Sequence, residues 1–182
     1  MDSFFEQIIK KKKTAADWLL SVLIVLLALA ALVAAFLFAG SLFFILAVGI
    51  GYGTWWLVTN MNVEYEYCVT NGDIDVDQIT ARRKRKRLVS VGGRKIESLQ
   101  PYDPSAPLGK FDRRVMAASS LKAEGLWCFS YHSKKNGHTF VVFQPDMRVL
   151  PALYAGVPKL VQMDTDRSAR ALGIDLKVKI EE

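Results

Sequence analysis

The chain has 182 residues, with 24 Lys and Arg against 18 Asp and Glu, which gives a formal net charge of +6. Apolar residues make up 51% of the chain and charged residues 23%, but every charged residue lies before Trp18 or after Val63. This segregation argues against a single soluble domain, and the 12 Gly, 6 Pro and 2 Cys argue against collagen-like, disordered and disulfide-rich classes.

Residues 1–17 are predicted to form an amphipathic N-terminal helix. Ser3 and Glu6 have the spacing of a helix capping box. The apolar side chains that would share one face of this helix are Phe4, Phe5, Ile8 and Ile9. Two placements are open, because such a helix can lie on a membrane surface with its apolar face in lipid or pack on a neighbouring domain.

Residues 18–61 are predicted to hold two transmembrane helices, over residues 18–38 and 42–58. A bilayer core needs about 20 apolar residues in a helix, so the uncharged stretch is too long for one span and suits two. The small residues at 39–41 permit a tight turn between them. The rival interpretation is a cleaved signal peptide, which is disfavoured because its apolar region would be too long and a second span follows at once.

The flanking charges predict the orientation of this hairpin. Four lysines at 10–13 precede the first span, a basic run at 82–87 follows the second, and the turn carries no charge. The positive-inside rule therefore places both termini in the cytoplasm of a plasma-membrane protein. Trp18, Trp55 and Trp56 would then lie at the same cytoplasmic interface.

Small residues recur at helical spacing inside both spans. Gly49 and Gly53 form a GxxxG pair in the second span, and Ala30 and Ala34 form a similar pair in the first. Such residues allow close helix packing, either within the hairpin or in contact with a homodimer or partner helix. Neither span contains an ionisable residue, which argues against a transporter or channel.

Residues 62–158 are predicted to form a cytoplasmic domain of short strands followed by one helix. Apolar alternation and turn residues predict strands at 63–70, 74–79, 87–91, 95–99, 113–117, 126–132 and 138–143. Asn71-Gly72 is a hairpin signal between the first two. A helix is expected near residues 147–154, although Pro151 would interrupt it. Residues 159–182 are predicted to be a polar C-terminal tail with a short helix near 166–172 and an extended end.

The order of these elements suggests a family. The stretch YEYCVTNGDIDVDQI, followed by RRKRKRLVSV and RKIESLQPYD, resembles the opening of bacterial pleckstrin-homology-like (PH-like) domains. The layout of residues 1–158 also resembles small two-span membrane proteins of Gram-positive anaerobic bacteria. The resemblance implies a partly open β-barrel of about seven antiparallel strands capped by one helix. It implies no catalytic residues.

The basic run is the most distinctive feature of the predicted domain. It consists of Arg82, Arg83, Lys84, Arg85, Lys86 and Arg87. It could set membrane topology, contact anionic lipid headgroups or dock an acidic protein. Nucleic-acid binding is disfavoured because no aromatic residue is interleaved with the charges.

No pattern predicts a metal, a cofactor or a catalytic group. Asp73, Asp75 and Asp77 have calcium-loop spacing, but the required Gly and Glu positions hold Gln78 and Lys84. A zinc site could be formed by Cys128, His132 and His138, but a fourth ligand is missing.

The sequence thus favours a non-enzymatic, membrane-tethered protein-interaction module. Recognition of anionic lipid headgroups at the inner leaflet is the alternative, and an enzyme acting at the membrane surface is a weaker one.

Overall fold

The computed structural model describes residues 3–105, 109–171 and 173. Within these residues the chain forms eight strands and four α-helices. In chain order they are β1 (Phe4–Lys10), α1 (Ala15–Phe38), α2 (Phe43–Asn60), β2 (Val63–Thr70), β3 (Asp73–Thr80), β4 (Lys84–Val91), β5 (Ile96–Pro101), β6 (Arg113–Ala117), β7 (Trp127–Ser133), β8 (Gly137–Phe143), α3 (Val149–Gly156) and α4 (Lys159–Ala171).

The first sheet has the order β1-β2-β3-β4, and all its pairs are antiparallel. The prediction of an N-terminal helix is therefore wrong. The segment FFEQIIK alternates exposed and half-buried side chains along β1, with Phe5, Gln7 and Ile9 turned inward. Its apolar residues fit a period of two as well as a helical period. Pairing with β2 over seven residues, from Phe4–Thr70 to Lys10–Glu64, satisfies the backbone groups along one edge of this segment and therefore favours a strand over a helix.

The domain is consequently discontinuous in sequence. Its first strand precedes the two apolar helices and its second follows them, and the Lys11 amide donates to the Val63 carbonyl at 2.9 Å. The predicted boundary at residue 62 is wrong for this reason.

Helices α1 and α2 are long and apolar enough to cross a membrane, and most of their apolar side chains are exposed. Helix α1 begins with a capping box between Thr14 and Asp17, three residues earlier than predicted. A short 3-10 turn, Gly40–Leu42, leads into α2. The Phe36 and Phe43 rings meet edge-to-face across this turn, with centroids 5.5 Å apart.

The second sheet has the order β5-β7-β8-β6, in which β6 runs parallel to β8 and the other pairs are antiparallel. The expected single barrel of about seven antiparallel strands is thus replaced by two four-stranded sheets. The two sheets share one main apolar core, whose largest fully buried side chains include Tyr67, Phe129 and Phe143.

The turn and strand predictions for the rest of the domain are largely confirmed. Asn71 and Gly72 both have positive φ and join β2 to β3, as the Asn-Gly signal predicted. Helix α3 begins at Val149, so Pro151 lies in its first turn, where a backbone N–H has no partner within the helix. The Asp146 carboxylate accepts a hydrogen bond from the Val149 amide at 2.8 Å and thereby caps the helix.

The polar tail predicted from residue 159 begins instead with helix α4, so two helices cover the sheets rather than one. Val161, Thr165 and Ala169 recur every four residues and are buried. The Thr165 hydroxyl contacts the Leu99 carbonyl at 2.7 Å, which fixes α4 on β5. The remainder of the predicted tail, at 172 and 174–182, lies outside the described residues.

Candidate functional site

Two arginines of the basic run are neutralised by acidic residues of the same sheet. Arg85 Nη2 lies 2.6 Å from Glu66 Oε2, and Arg87 Nη1 lies 2.6 Å from Asp75 Oδ2. Arg87 also pairs with Asp77 through its Nε atom. These arginines therefore form an ion-pair lattice with carboxylates of the sheet, and their side chains remain 59% and 50% exposed.

The strand register explains why this lattice forms. Glu66 faces Asp77 across β2 and β3, and a bulge after Val76 brings Arg87 opposite Asp77. Both carboxylates are buried, so each needs a charged partner. Burial, and secondarily the neighbouring Glu6 side chain, raises the pKa of Glu66, while Arg85 opposes that rise.

The other members of the run lie apart from this lattice. Arg82 is 74% exposed and makes only a long contact with Glu64, at 3.4 Å. Arg83 places its guanidinium 5.3 Å from the centre of the Trp55 ring and donates to the Asn60 amide oxygen at 3.2 Å. Lys84 and Lys86 are exposed and form no ion pair within the described part of the chain.

A cleft of about 520 Å³, here called the linker cleft, lies where the helices join the first sheet. Its cationic side chains come from two distant segments, Lys10, Lys11 and Lys13 before α1 and Arg82 between β3 and β4. The remaining lining residues are Thr59, Asn62, Val63, Glu64 and Ala81. In the sequence the four lysines indicate only membrane topology, and no local pattern predicts that three of them line a cleft with Arg82.

The turn that carries Arg82 has an unusual backbone. Ala81 and Arg82 have φ values of 54° and 55°, and the Arg83 amide closes the turn on the Thr80 carbonyl at 3.0 Å. Two-residue turns of this type are normally built from Asn and Gly, because other residues are strained at positive φ. The Ala81 amide also donates to the Asn62 carbonyl at 2.8 Å, which holds the turn against the end of α2.

A second cleft, of about 590 Å³, lies on the other side of the linker into α1. Apolar groups of Tyr65, Met116, Ala118 and Leu121 line it, together with Lys11, Lys12, Thr14, Ser119, Ser120 and Lys122. The Lys12 amide donates to the Ser119 carbonyl at 2.8 Å, so the linker is bonded to the second sheet as well as to the first.

The predicted helix-packing residues do not lie between α1 and α2. A Cβ atom added to Gly49 or Gly53 would meet no neighbouring atom within 4 Å, and Ala30 and Ala34 are exposed. Packing within the hairpin is therefore not their role in this structure. A contact with a homodimer or partner helix stays a prediction.

The three aspartates considered for calcium binding have structural partners. Asp73 accepts a hydrogen bond from the Gly93 amide at 3.0 Å, and Asp75 and Asp77 pair with Arg87. Across the described residues, no group of three His, Cys, Asp or Glu side chains could hold a metal ion.

Cys128 and His138 also lie in structural settings. Burial raises the pKa of Cys128 to about 11, so its thiol is protonated at neutral pH. His138 Nε2 lies 3.2 Å from Glu97 Oε2, and its ring packs 4.6 Å from that of Phe111.

The chain is thus a small β domain of two packed four-stranded sheets with a helical hairpin. The pair of apolar helices is joined to the first sheet through β1 and β2. The model of the family described as "Bacterial PH-like domain (DUF6106)" matches residues 1–163. The chain belongs to this family, as the opening strands and turns indicated. The match includes β1 and both apolar helices as well as the two sheets. Comparisons with curated proteins and with solved structures found no match.

Proposed function

We propose that the chain is a non-enzymatic interaction module, anchored by α1 and α2 in the bacterial plasma membrane, that presents its PH-like domain to a protein partner in the cytoplasm. The observation that carries this proposal is the double attachment of the first sheet. β1 enters the hairpin and β2 leaves it, with the Lys11 amide bonded to the Val63 carbonyl at 2.9 Å. With the hairpin in a membrane, this attachment holds the domain against the membrane surface in a defined orientation.

The side chains that could perform chemistry support recognition rather than catalysis. Among the described residues no group of three His, Cys, Asp or Glu side chains could hold a metal ion, and burial raises the pKa of the Cys128 thiol. The buried charged groups Glu66 and Asp77 are held by arginines. Such groups stabilise a fold and leave recognition to the exposed surface.

The outer face of β1 is the surface we assign to the protein partner. Phe4 and Ile8 are exposed there, at 59% and 52%, with Glu6 between them. β1 is also an edge strand, with no strand on its outer side within the described part of the chain, so an added strand can pair there.

Photo-crosslinking in native membranes tests this proposal. A photoreactive amino acid replaces Ile8 in the full chain, and a matched control places it at Lys135, an exposed turn residue between β7 and β8. We expect a discrete protein adduct from position 8 and none from position 135. Adducts with the same pattern at both positions, or none at position 8, would contradict a partner on this face.

Lipid recognition through the basic run is the second candidate. The ion pairs of Arg85 and Arg87 weigh against the run as a whole. They leave four exposed charges of the run without a close carboxylate partner among the described residues, namely Arg82, Arg83, Lys84 and Lys86. The observation that favours an anionic ligand lies beside the run, in the linker cleft.

A further inference from the structure

We propose that the linker cleft binds a phosphate-bearing anion through Lys10, Lys11, Lys13 and Arg82. The proposal deepens the proposed function, because it relies on α1 and α2 being anchored in a membrane. It names the chemistry of the ligand, which a phospholipid headgroup or a free phosphate could supply.

The charge of the cleft is the first argument. Four cationic residues and a single acidic residue, Glu64, line a space of about 520 Å³. Arg82 approaches the Glu64 carboxylate only to 3.4 Å and remains 74% exposed. Arg85, by comparison, is drawn to 2.6 Å from Glu66. The cleft therefore keeps an excess of positive charge that the neighbouring sheet does not neutralise.

The position of the cleft is the second argument. Lys13 directly precedes the capping residue of α1, and Thr59 lies in the last turn of α2. Both ends of the apolar hairpin thus border the same space. With the helices across a bilayer, the cleft faces the layer of lipid phosphate groups, where each nearby Lys or Arg attracts anionic lipid.

The backbone of the turn is the third argument. Ala81 and Arg82 both occupy the left-handed region of backbone conformation, which glycine and asparagine adopt with less strain. The chain instead keeps a long cationic side chain at the second position, bonded through Ala81 to the end of α2. Strain of this kind is commonly retained where a side chain is needed for binding.

The test uses the full chain in nanodiscs of zwitterionic phosphatidylcholine doped with phosphatidylglycerol. Native mass spectrometry measures how much phosphatidylglycerol the protein retains at physiological ionic strength. We expect retention to fall about fivefold for each cation removed, in line with the usual attraction of one basic residue to an anionic lipid. The combined variant carries K11Q, K13Q and R82Q.

Matched controls separate the cleft from total charge and from folding. A second triple variant, with K84Q, K86Q and K135Q, removes the same charge outside the cleft and should retain the lipid. Arg82→Gly relieves the backbone strain at position 82 and removes one cation of the cleft. Ala81→Gly relieves the strain at position 81 and keeps all four cations of the cleft. We expect reduced retention in the first and wild-type retention in the second, with both domains folded.

Further measurements distinguish a lipid headgroup from free phosphate as the source of the anion. They also separate the cleft proposal from the proposed interaction module. Titration of inorganic phosphate into the protein in lipid discs without phosphatidylglycerol reports a soluble ligand, and selective lipid retention reports a headgroup. Equal lipid retention in the cleft and control variants, without phosphate binding, would overturn the cleft proposal. If the cleft proposal fails in this way but the photoreactive residue at position 8 still gives the protein adduct, the module function stands.

Discussion

Removing the hydroxyl of Tyr67 should destabilise the domain, because this hydroxyl forms hydrogen bonds between its two sheets. Tyr67 lies on β2, is fully buried and packs edge-to-face on Phe143, with ring centroids 5.8 Å apart. Its hydroxyl donates to the Ala117 carbonyl of β6 and accepts from the Gln144 amide at 3.1 Å. Burial raises the pKa of Tyr67, so this hydroxyl is protonated throughout the physiological range.

The size of the effect follows from the groups left behind. Tyr67→Phe preserves the ring but leaves the part-buried Gln144 N–H and the buried Ala117 C=O without this partner. An orphaned buried polar group costs about 1–3 kcal/mol, and the carbonyl has a second lone pair for other bonds, so we expect a loss of about 2–4 kcal/mol.

Urea denaturation of the full chain in nonionic detergent, followed by near-ultraviolet circular dichroism, measures this loss. With a typical urea dependence, the midpoint should fall by about 1–2 M. Tyr65→Phe is the matched control, since Tyr65 lies two residues away on the same face and its hydroxyl makes no hydrogen bond within the described part of the chain. Equal midpoints for the two variants would refute the argument.

Three further predictions concern packing, capping and domain boundaries. Gly93→Ala should cost about 1–3 kcal/mol in thermal unfolding, because its Cβ would lie 2.8 Å from the Gly156 carbonyl oxygen; an unchanged melting temperature would contradict this contact. Burial opposes ionisation of Asp146, but hydrogen bonds from the Val149 and Arg148 amides and from the Arg148 side chain outweigh burial and lower the pKa of Asp146. D146A should therefore cost about 1 kcal/mol at pH 7, and this difference should shrink as pH falls below about 4, whereas a pH-independent difference would argue against the charged cap. Replacing residues 12–62 with Asn-Gly should give a monomeric domain by size-exclusion chromatography, whereas residues 62–182 alone, without β1, should aggregate; a monomeric second fragment would show that β1 is dispensable.

Local features were predictable because their determinants lie next to each other in the chain. The Asn71-Gly72 turn forms as expected, since its backbone requires positive φ at both positions. Alternating apolar residues placed β2 and β3, because side chains of successive strand residues point to opposite faces. The two apolar helices were equally evident from composition and length.

Features that depend on distant pairing could not be predicted in this way. Residues 4–10 fit a helix or a strand by local pattern, and only the edge of β2, more than fifty residues later, selects the strand. Helix α4 is polar overall, so the local pattern predicts only a tail with a short helix near 166–172. Its buried face, with Thr165 on the Leu99 carbonyl, depends on the position of β5.

Two apolar helices, a strand-rich domain and a run of six cations can be recognised in the sequence, because neighbouring residues define each of them. The fold, in contrast, selects which of the cations remain available for binding. The register of β2, β3 and β4 neutralises Arg85 and Arg87, and the pairing of β1 with β2 brings Lys11 beside Arg82. Charge is a property of residues, but its availability depends on the partners that folding places within reach.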